Sequence, residues 1–428
     1  MQQGGTVLFV APLPHPLPAA EVKGKIMPND EFRQTKYRKG MNRMETSTVA
    51  LVPADGYEQE KVDAAVRAGI DLLGGIGAFV KPEEKILLKP NLLSGALPQK
   101  AITTHPAVFS AVAKLLREAG YEHLSYGDSP GNPVTTPEKA ADVSGISEAA
   151  KQWNIEKADF NAGSVVRFPE GKTARSFYLC KGVQEADAVI NLCKMKTHAL
   201  ERITGGVKNL YGCVCGAKKA VGHAQYPSSE VFADMLADLN LCVHPRLHIM
   251  DGIVAMEGNG PTSGVPRPMN VTLFSADPVA LDAVFCSLIA LDPATVPTCV
   301  SGERAGLGTM NTGRIRILTP EGEITCAEAA AKYGQPDFDV RRDKLSRSFF
   351  MKLMPLLPFL QDRPKVDRKK CVACGLCEKA CPVPERAVRS GNGKKAVYDY
   401  KKCIRCYCCQ EMCTAKAITV HHGMFAKK

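Results

Sequence analysis

Seventeen cysteines occur in 428 residues, and nine of them follow Lys370. Cys371, Cys374, Cys377 and Cys381 have the spacing C-x2-C-x2-C-x3-C, with Pro382 next. Cys403, Cys406, Cys409 and Cys413 repeat that spacing. Three thiolates on one tight loop grip three corners of a [4Fe–4S] cube, and the fourth of each run reaches the neighbouring cube. The spacing therefore predicts two ligand sets: Cys371, Cys374, Cys377 and Cys413 for one cluster, and Cys403, Cys406, Cys409 and Cys381 for the other. Such clusters move single electrons. A zinc site prefers paired C-x2-C ligands, four in all, so eight thiolates in two four-cysteine runs fit zinc poorly. Cys408 is surplus to the eight.

The repeat extends beyond the cysteines. Lys370-Cys371 recurs as Lys402-Cys403, and Ala387-Val388 as Ala417-Ile418. Gly375 supplies a small residue where a loop must pass close to a cube. Thr414 stands where a second proline is usual, which removes no ligand. From about residue 366 to 420 the chain resembles a bacterial-type dicluster ferredoxin, which implies electron transfer with a redox partner.

A second group of residues sits where short apolar runs end. These are Lys89-Pro90-Asn91, Gly127-Asp128, Lys194-Met195-Lys196-Thr197-His198, Asp251-Gly252 running on to Glu257, and Ala276-Asp277. One loop adds Lys208-Asn209. In open parallel sheets ligands bind beyond the carboxyl ends of the strands. Lys89, Lys194, Lys196 and Lys208 could hold a carboxylate or phosphate. Asn91, Asn191 and Asn209 could orient it. Asp128, Asp251 and Glu257 could bind a cation or move protons, and His198 could act as acid or base near neutrality. We take Lys194, Lys196, His198 and Asp128 as candidate catalytic residues, and Lys89, Asn91, Lys208, Asn209, Asp251 and Glu257 as candidate binding residues. Each also has a plainer reading. Asn and Asp are common turn formers, a single His is often structural, and Asp277 can cap a helix starting at Pro278. The Cys213-x-Cys215 pair reads as a small apolar turn. No G-x-G-x-x-G follows a strand and no P-loop is present, so no nucleotide cofactor is expected.

The elements that must position these residues alternate. Strands are predicted at 48–53, 85–89, 123–126, 186–192, 246–250 and 271–274. Helices are predicted at 58–73, 105–119, 137–153, 230–241 and 277–291, the first with Val62, Val66, Ile70 and Leu73 on one face. This order argues for an α/β domain with a mostly parallel sheet flanked by helices, plus a small α+β ferredoxin-like domain at the C-terminus. The expected organisation is a disordered lead at 1–45, an α/β domain at 46–340, a basic linker at 341–365 and a cluster domain at 366–428.

Composition agrees with a globular protein, 45% hydrophobic and 23% charged. No apolar run reaches the ~18 residues of a spanning helix. The net charge of +11 is local. From Arg341 onward there are 21 Lys and Arg against 7 Asp and Glu, whereas the first 340 residues carry 34 against 37. No nucleic-acid-binding motif accompanies the basic surplus, so no nucleic acid is expected. The N-terminus makes a poor signal peptide, because prolines interrupt its apolar patch. With clustered cysteines, this places the expected location in the cytoplasm.

The Lys89-Pro90-Asn91-Leu92 stretch, the Met195–His198 run MKTH, GGVKNLYG from Gly205, DGIVAMEGNGP from Asp251 and ADPVALD from Ala276 together resemble the prokaryotic "domain of unknown function 362" family. That family often carries a C-terminal dicluster ferredoxin. The resemblance covers about residues 50–318 and then the tail, and implies an iron–sulfur protein without naming a reaction. The expected function is a redox enzyme or subunit exchanging electrons with a small anionic substrate. Two alternatives remain open: a non-catalytic electron carrier or adaptor, and a non-redox metal-assisted enzyme with structural clusters.

Overall fold

The computed structural model describes residues 46–131, 135–216, 218–343 and 362–421. The expected lead at 1–45 and most of the expected linker lie outside the described residues.

The N-terminal half of the sheet is laid down by β1 (Ser47–Pro53), α1 (Gln59–Leu72), β2 (Ile86–Lys89), α2 (Pro106–Glu118), β3 (Leu124–Tyr126), α3 (Pro137–Val143), α4 (Ile146–Gln152) and β4 (Glu156–Lys157). A side hairpin follows, β5 (Gly163–Arg167) and β6 (Ser176–Cys180), then α5 (Lys181–Gln184). The chain continues through β7 (Ala188–His198), β8 (Arg202–Thr204), α6 (Gly206–Asn209), α7 (Lys218–Gln225) and α8 (Ser229–Val243). It then forms β9 (Leu247–Glu257), β10 (Val265–Ser275), α9 (Pro278–Leu288), α10 (Pro297–Ala305), β11 (Ile315–Thr319), β12 (Gly322–Ile324) and α11 (Cys326–Tyr333). Ten strands make one mixed sheet in the order β12-β11-β1-β10-β9-β7-β2-β3-β4, with β8 paired to the end of β7. The β9-β7-β2-β3-β4 run is parallel, as is β1 with β11, so the parallel pairs predominate.

The sheet is buried on both faces, which is why its strands read as continuous apolar runs. Val49 and Leu51 of β1 and Cys193 of β7 pack with Phe232 and Leu236 of α8 and Phe285 of α9 on one side. Ala50, Val52, Ile190 and Leu192 pack with Val62 and Val66 of α1 and Val108 and Val112 of α2 on the other.

Departures from the sequence expectation fall in three places. The helix expected at 137–153 is two helices, because Gly145 adopts φ +77 and stops the first. The strand expected at 186–192 continues through the Lys-Met-Lys-Thr-His run to His198, all of it buried. Strands β9 and β10 project beyond the sheet as an antiparallel pair from Glu257↔Val265, kinked by a bulge between Pro268 and Val271. Pro266, Pro268 and Asn270 hide that extension from pattern reading.

The C-terminal segment holds β13 (Arg363–Val366), α12 (Leu376–Lys379), β14 (Val388–Gly391), β15 (Lys394–Tyr398), α13 (Cys408–Glu411) and β16 (Ile418–His421). β13 pairs with β16 and β14 with β15, both antiparallel. Among the described residues no helix is long and apolar enough to cross a membrane.

Candidate functional site: a lysine-lined cavity closed by the cysteine-rich segment

Two glycines let the key loop enter the sheet edge. A Cβ on Gly205 would lie 1.9 Å from Asp282 Oδ1, and one on Gly212 would lie 1.8 Å from Asp128 Oδ1. With glycine there, Asp282 accepts from the Gly206 N–H at 2.6 Å and the Val207 N–H at 3.3 Å, holding the first turn of α6. Burial pushes the Asp282 carboxyl up to about 7, against the pull of those two donors. Helix α6 carries Lys208 and Asn209. A hydrogen-bond chain then fixes the orientation of each amide. Lys196 Nζ donates to Asn91 Oδ1 at 3.0 Å, Asn91 Nδ2 to Asn209 Oδ1 at 2.7 Å, Asn209 Nδ2 to Asn191 Oδ1 at 2.7 Å, and Asn191 Nδ2 to Gly206 O at 2.9 Å.

These residues edge a cavity of about 400 Å³. Asn91, Asp128, Lys196, Lys208, Asn209, Lys219 and His223 line it from the α/β side, and Lys379, Ala380, Cys408, Glu411 and Met412 from the cysteine-rich side. Lys89 stands just behind Asp128 in a buried ion pair, 2.8 Å from its Oδ1. The other lysines differ. Lys196 also donates to Ile102 O at 2.7 Å, and Lys219 to Pro130 O at 2.9 Å and to Ser129 O. Among the described residues, none of Lys196, Lys208 and Lys219 has a carboxylate within ion-pair distance. Burial, reinforced by the charge of Lys208, holds Lys196 well below the usual lysine range, and burial brings Lys219 down to about 8. Three lysines without an ion pair around one cavity are what an anion would match.

Four candidates do not face this cavity as free groups. Lys194 pairs with Asp251 at 2.7 Å, and Tyr57 Oη bridges them, accepting from Lys194 at 2.9 Å and donating to Asp251 Oδ1 at 2.8 Å. Glu257 accepts from the Asp339 N–H at 2.9 Å. Thus Asp128, Asp251 and Glu257, which a metal-assisted reaction would need together, are each committed elsewhere. His198 Nδ1 accepts from the N–H groups of Leu200 and Glu201, both at 3.1 Å. Its proton therefore sits on Nε2, 2.9 Å from Glu411 Oε1, although the contact lies off the ideal hydrogen-bond direction. Burial, then the charge of Lys208, lowers His198 to about 4. Burial would raise Glu411, but the charges of His198 and Lys208 prevail and hold it at about 2. His198 thus stands between two backbone donors and Glu411 at the junction with the cysteine-rich segment.

Sequence reasoning missed Lys219 and His223. They lie four residues apart on α7, hence on one face, and that spacing was the available signal. His223 stacks on Phe232 with ring centroids 4.4 Å apart, and its buried Nδ1 has no partner. Burial lowers it to about 4.

The cysteine-rich segment is a repeat in conformation as well as in sequence. Ala373 and Arg405 both adopt positive φ, +56 and +59, as do Gly375 and Tyr407, +78 and +60, and Arg386 and Lys416, +54 and +51. Arg405 and Tyr407 accept this conformation without glycine, which costs roughly 1–3 kcal/mol each. Such turns aim backbone N–H groups inward. Ala387 N donates to Cys381 Sγ at 3.3 Å, and its repeat mate Ala417 N to Cys413 Sγ at 3.2 Å. Cys377 lies close enough to feel the charges of Cys374 and Cys413, and Cys403 those of Cys406 and Cys381. The fourth cysteine of each run thus approaches the other run, and thiolates already met by N–H donors suit an anionic iron–sulfur cube. Gln410, fully buried, ties this segment to the α/β domain by donating to Asn259 O, Asn259 Oδ1 and Gly260 O at 2.9–3.0 Å. Thr262 Oγ1 donates to Glu411 O at 2.9 Å.

An α/β sheet domain docked on paired C-x2-C-x2-C-x3-C loops defines an iron–sulfur protein of the electron-transfer class. The family model of the 4Fe-4S dicluster domain matches residues 363–414, and that of the domain of unknown function DUF362 matches residues 86–287. A thylakoid-associated protein of Synechocystis sp. is 39% identical over 261 residues, 61% of this chain and 80% of that one. The chain belongs to the DUF362 family, with a C-terminal [4Fe–4S] dicluster domain. The lactate racemase apoprotein of Thermoanaerobacterium thermosaccharolyticum overlaps 56% of each chain at 12% identity and a TM-score of 0.35.

Proposed function

We propose that the protein binds two [4Fe–4S] clusters and exchanges electrons between them and a small anionic substrate held in the cavity. The observation that carries this is the unmatched set Lys196, Lys208 and Lys219, lining a cavity whose opposite wall is α13 of the cluster-binding segment. Cys371, Cys374, Cys377 and Cys413 would hold one cluster, and Cys403, Cys406, Cys409 and Cys381 the other. When bound, the clusters supply or accept single electrons. The three lysines hold the anion, and the Asn91–Asn209–Asn191 chain fixes its orientation. Glu411, clamped by His198, keeps the cluster-bearing wall seated and excludes water. His223, with its unpartnered Nδ1 in the cavity, is the group placed to move a proton as the substrate's charge changes.

Anaerobic purification followed by native mass spectrometry tests this reading. We expect eight iron and eight acid-labile sulfides per chain, plus a bound anion that Lys208→Met loses while keeping its iron. Protein without iron, or an anion equally well held by Lys208→Met, would overturn it.

A further inference from the structure

The two cysteine loops are alike in sequence and backbone but sit in opposite surroundings. In the second loop, Cys406 is 8% and Tyr407 6% exposed, and the adjoining Cys408 forms part of the cavity wall. In the first, the equivalent Cys374 is exposed and Val372 beside it is 68% exposed. One cluster site therefore faces inward and the other faces solvent. Beside the outer loop lies β15, because Ala396 N approaches Cys371 Sγ at 3.5 Å, and the next residue, Val397, is 56% exposed. Around these two valines stand Arg368, Lys369, Lys370 and Lys395, all exposed. Lys395 Nζ donates to Arg368 O at 2.7 Å, which gathers them on one side of the loop. Among the described residues none of the four is in an ion pair. Asp367, exposed beside Arg368 and accepting from the Lys369 N–H at 2.9 Å, is outnumbered by these four cations, and an apolar centre with a mainly basic rim is the pattern of a steered, transient contact.

We propose that this face docks an acidic one-electron carrier protein over the Cys374 loop. One electron crosses per encounter: the carrier is oxidised by one, the outer cluster is reduced by one, and no bond or proton needs to move. When clusters are bound, Cys371, Cys374, Cys377 and Cys413 would hold the accepting one at this face, and Cys403, Cys406, Cys409 and Cys381 would hold the one nearer the cavity. The proposal rests on the outer cysteine set holding a cluster and is independent of what the cavity binds.

The test is calorimetric titration of the anaerobically prepared holoprotein with an acidic flavodoxin, so that the readout is binding rather than turnover. Lys369→Glu combined with Lys395→Glu should weaken binding at least tenfold, and so should raising the salt enough to bring the Debye length down to about 3 Å. Val397→Asp should weaken it too. Lys139→Glu, exposed on the α/β domain, should not. Iron content and the reduced-cluster electron paramagnetic resonance signal should be unchanged in all four. The proposal is overturned if the double variant binds flavodoxin as the wild type does, or if neither binds it. It is also overturned if the charge reversal abolishes binding to phosphatidylglycerol vesicles while leaving flavodoxin binding intact.

Discussion

The lysines around the cavity fall into two kinds, and substitution to methionine should separate them. Lys89 is fully buried against Asp128, itself 4% exposed. Removing the ammonium leaves a buried carboxylate with the Leu92 N–H at 2.7 Å as its remaining strong donor. Breaking a buried pair in this way costs about 3–5 kcal/mol. Against a total stability of roughly 5–15 kcal/mol this is severe. At about 2–4 °C per kcal/mol it lowers the apparent melting temperature by roughly 6–20 °C. Lys208 has no carboxylate within ion-pair distance, although its charge is one of those that keep Glu411 ionised. Lys208→Met replaces an unmatched charge with an apolar chain of similar length, a change that is often neutral or stabilising in buried settings. Its expected cost is below about 1.5 kcal/mol. The assay is anaerobic thermal unfolding followed by far-ultraviolet circular dichroism, with and without small carboxylates, phosphate and sulfite. A bound anion at a hundred times its Kd should stabilise the wild type by about 2.7 kcal/mol, and Lys208→Met should lose that increment. If Lys208→Met falls as far as Lys89→Met, or still gains stability from the anion, the division into structural and anion-binding lysines is wrong.

Cys409→Ser should lose about half of the iron and sulfide, whereas Cys408→Ser should keep both, by colorimetric iron and sulfide analysis. Gln410→Ala removes an amide whose two N–H groups meet three acceptors at the domain junction. It should cost about 1–3 kcal/mol of docking and raise hydrogen exchange across residues 259–262 with cluster content unchanged. His248 Nδ1 meets Asn191 Nδ2 at 2.9 Å, and burial, then His244, lowers it to about 3. Its folded pKa is below the unfolded value, so its neutral form contributes stability above about pH 6.5 that is lost as the pH falls toward 3. His248→Gln should remove up to about 1.4 kcal/mol per pH unit of that slope, read from urea unfolding at pH 7.5 and pH 5.

The sequence makes the parallel core legible because β2, β3 and β7 are buried on both faces and leave unbroken apolar runs. It makes the dicluster segment legible because the repeated C-x2-C-x2-C-x3-C spacing is the one such clusters require, and the 4Fe-4S dicluster model matches residues 363–414. The candidate site is legible only in part. Lys89, Asn91, Asp128, Lys196, Lys208 and Asn209 do gather at one sheet edge, as strand ends in an open α/β fold should. Lys194, Asp251 and Glu257 have the same chemistry and the same sequence setting, yet Tyr57 and the Asp339 N–H claim them. Nothing in a linear pattern announces that a tyrosine 137 residues away will complete a Lys–Asp pair. The residue type of His198 permits titration near neutrality, but the two backbone N–H groups that meet its Nδ1 and fix its tautomer are visible only in three dimensions.

Net charge illustrates why local arithmetic can conceal a site. The first 340 residues are slightly acidic, 34 Lys and Arg against 37 Asp and Glu, which argues against an anion site if charge is averaged over the surface. The structure separates the two populations. Exposed lysines such as Lys61 and Lys332 are matched by carboxylates outside, Asp55 and Glu321. Lys196 and Lys219 are enclosed with carbonyl and amide oxygens instead, and Lys208 lines the same cavity without an ion pair among the described residues. An unmatched ammonium in low dielectric is costly in proportion to its dehydration, so three of them around about 400 Å³ would be selected against unless a negative group visits. The basic surplus of the C-terminal segment follows the opposite logic. It is spread over solvent, cheap to maintain, and effective over about a Debye length. The same charge type therefore stands at two depths, and the two proposals assign it two tasks: binding inside the cavity and steering on the cluster face.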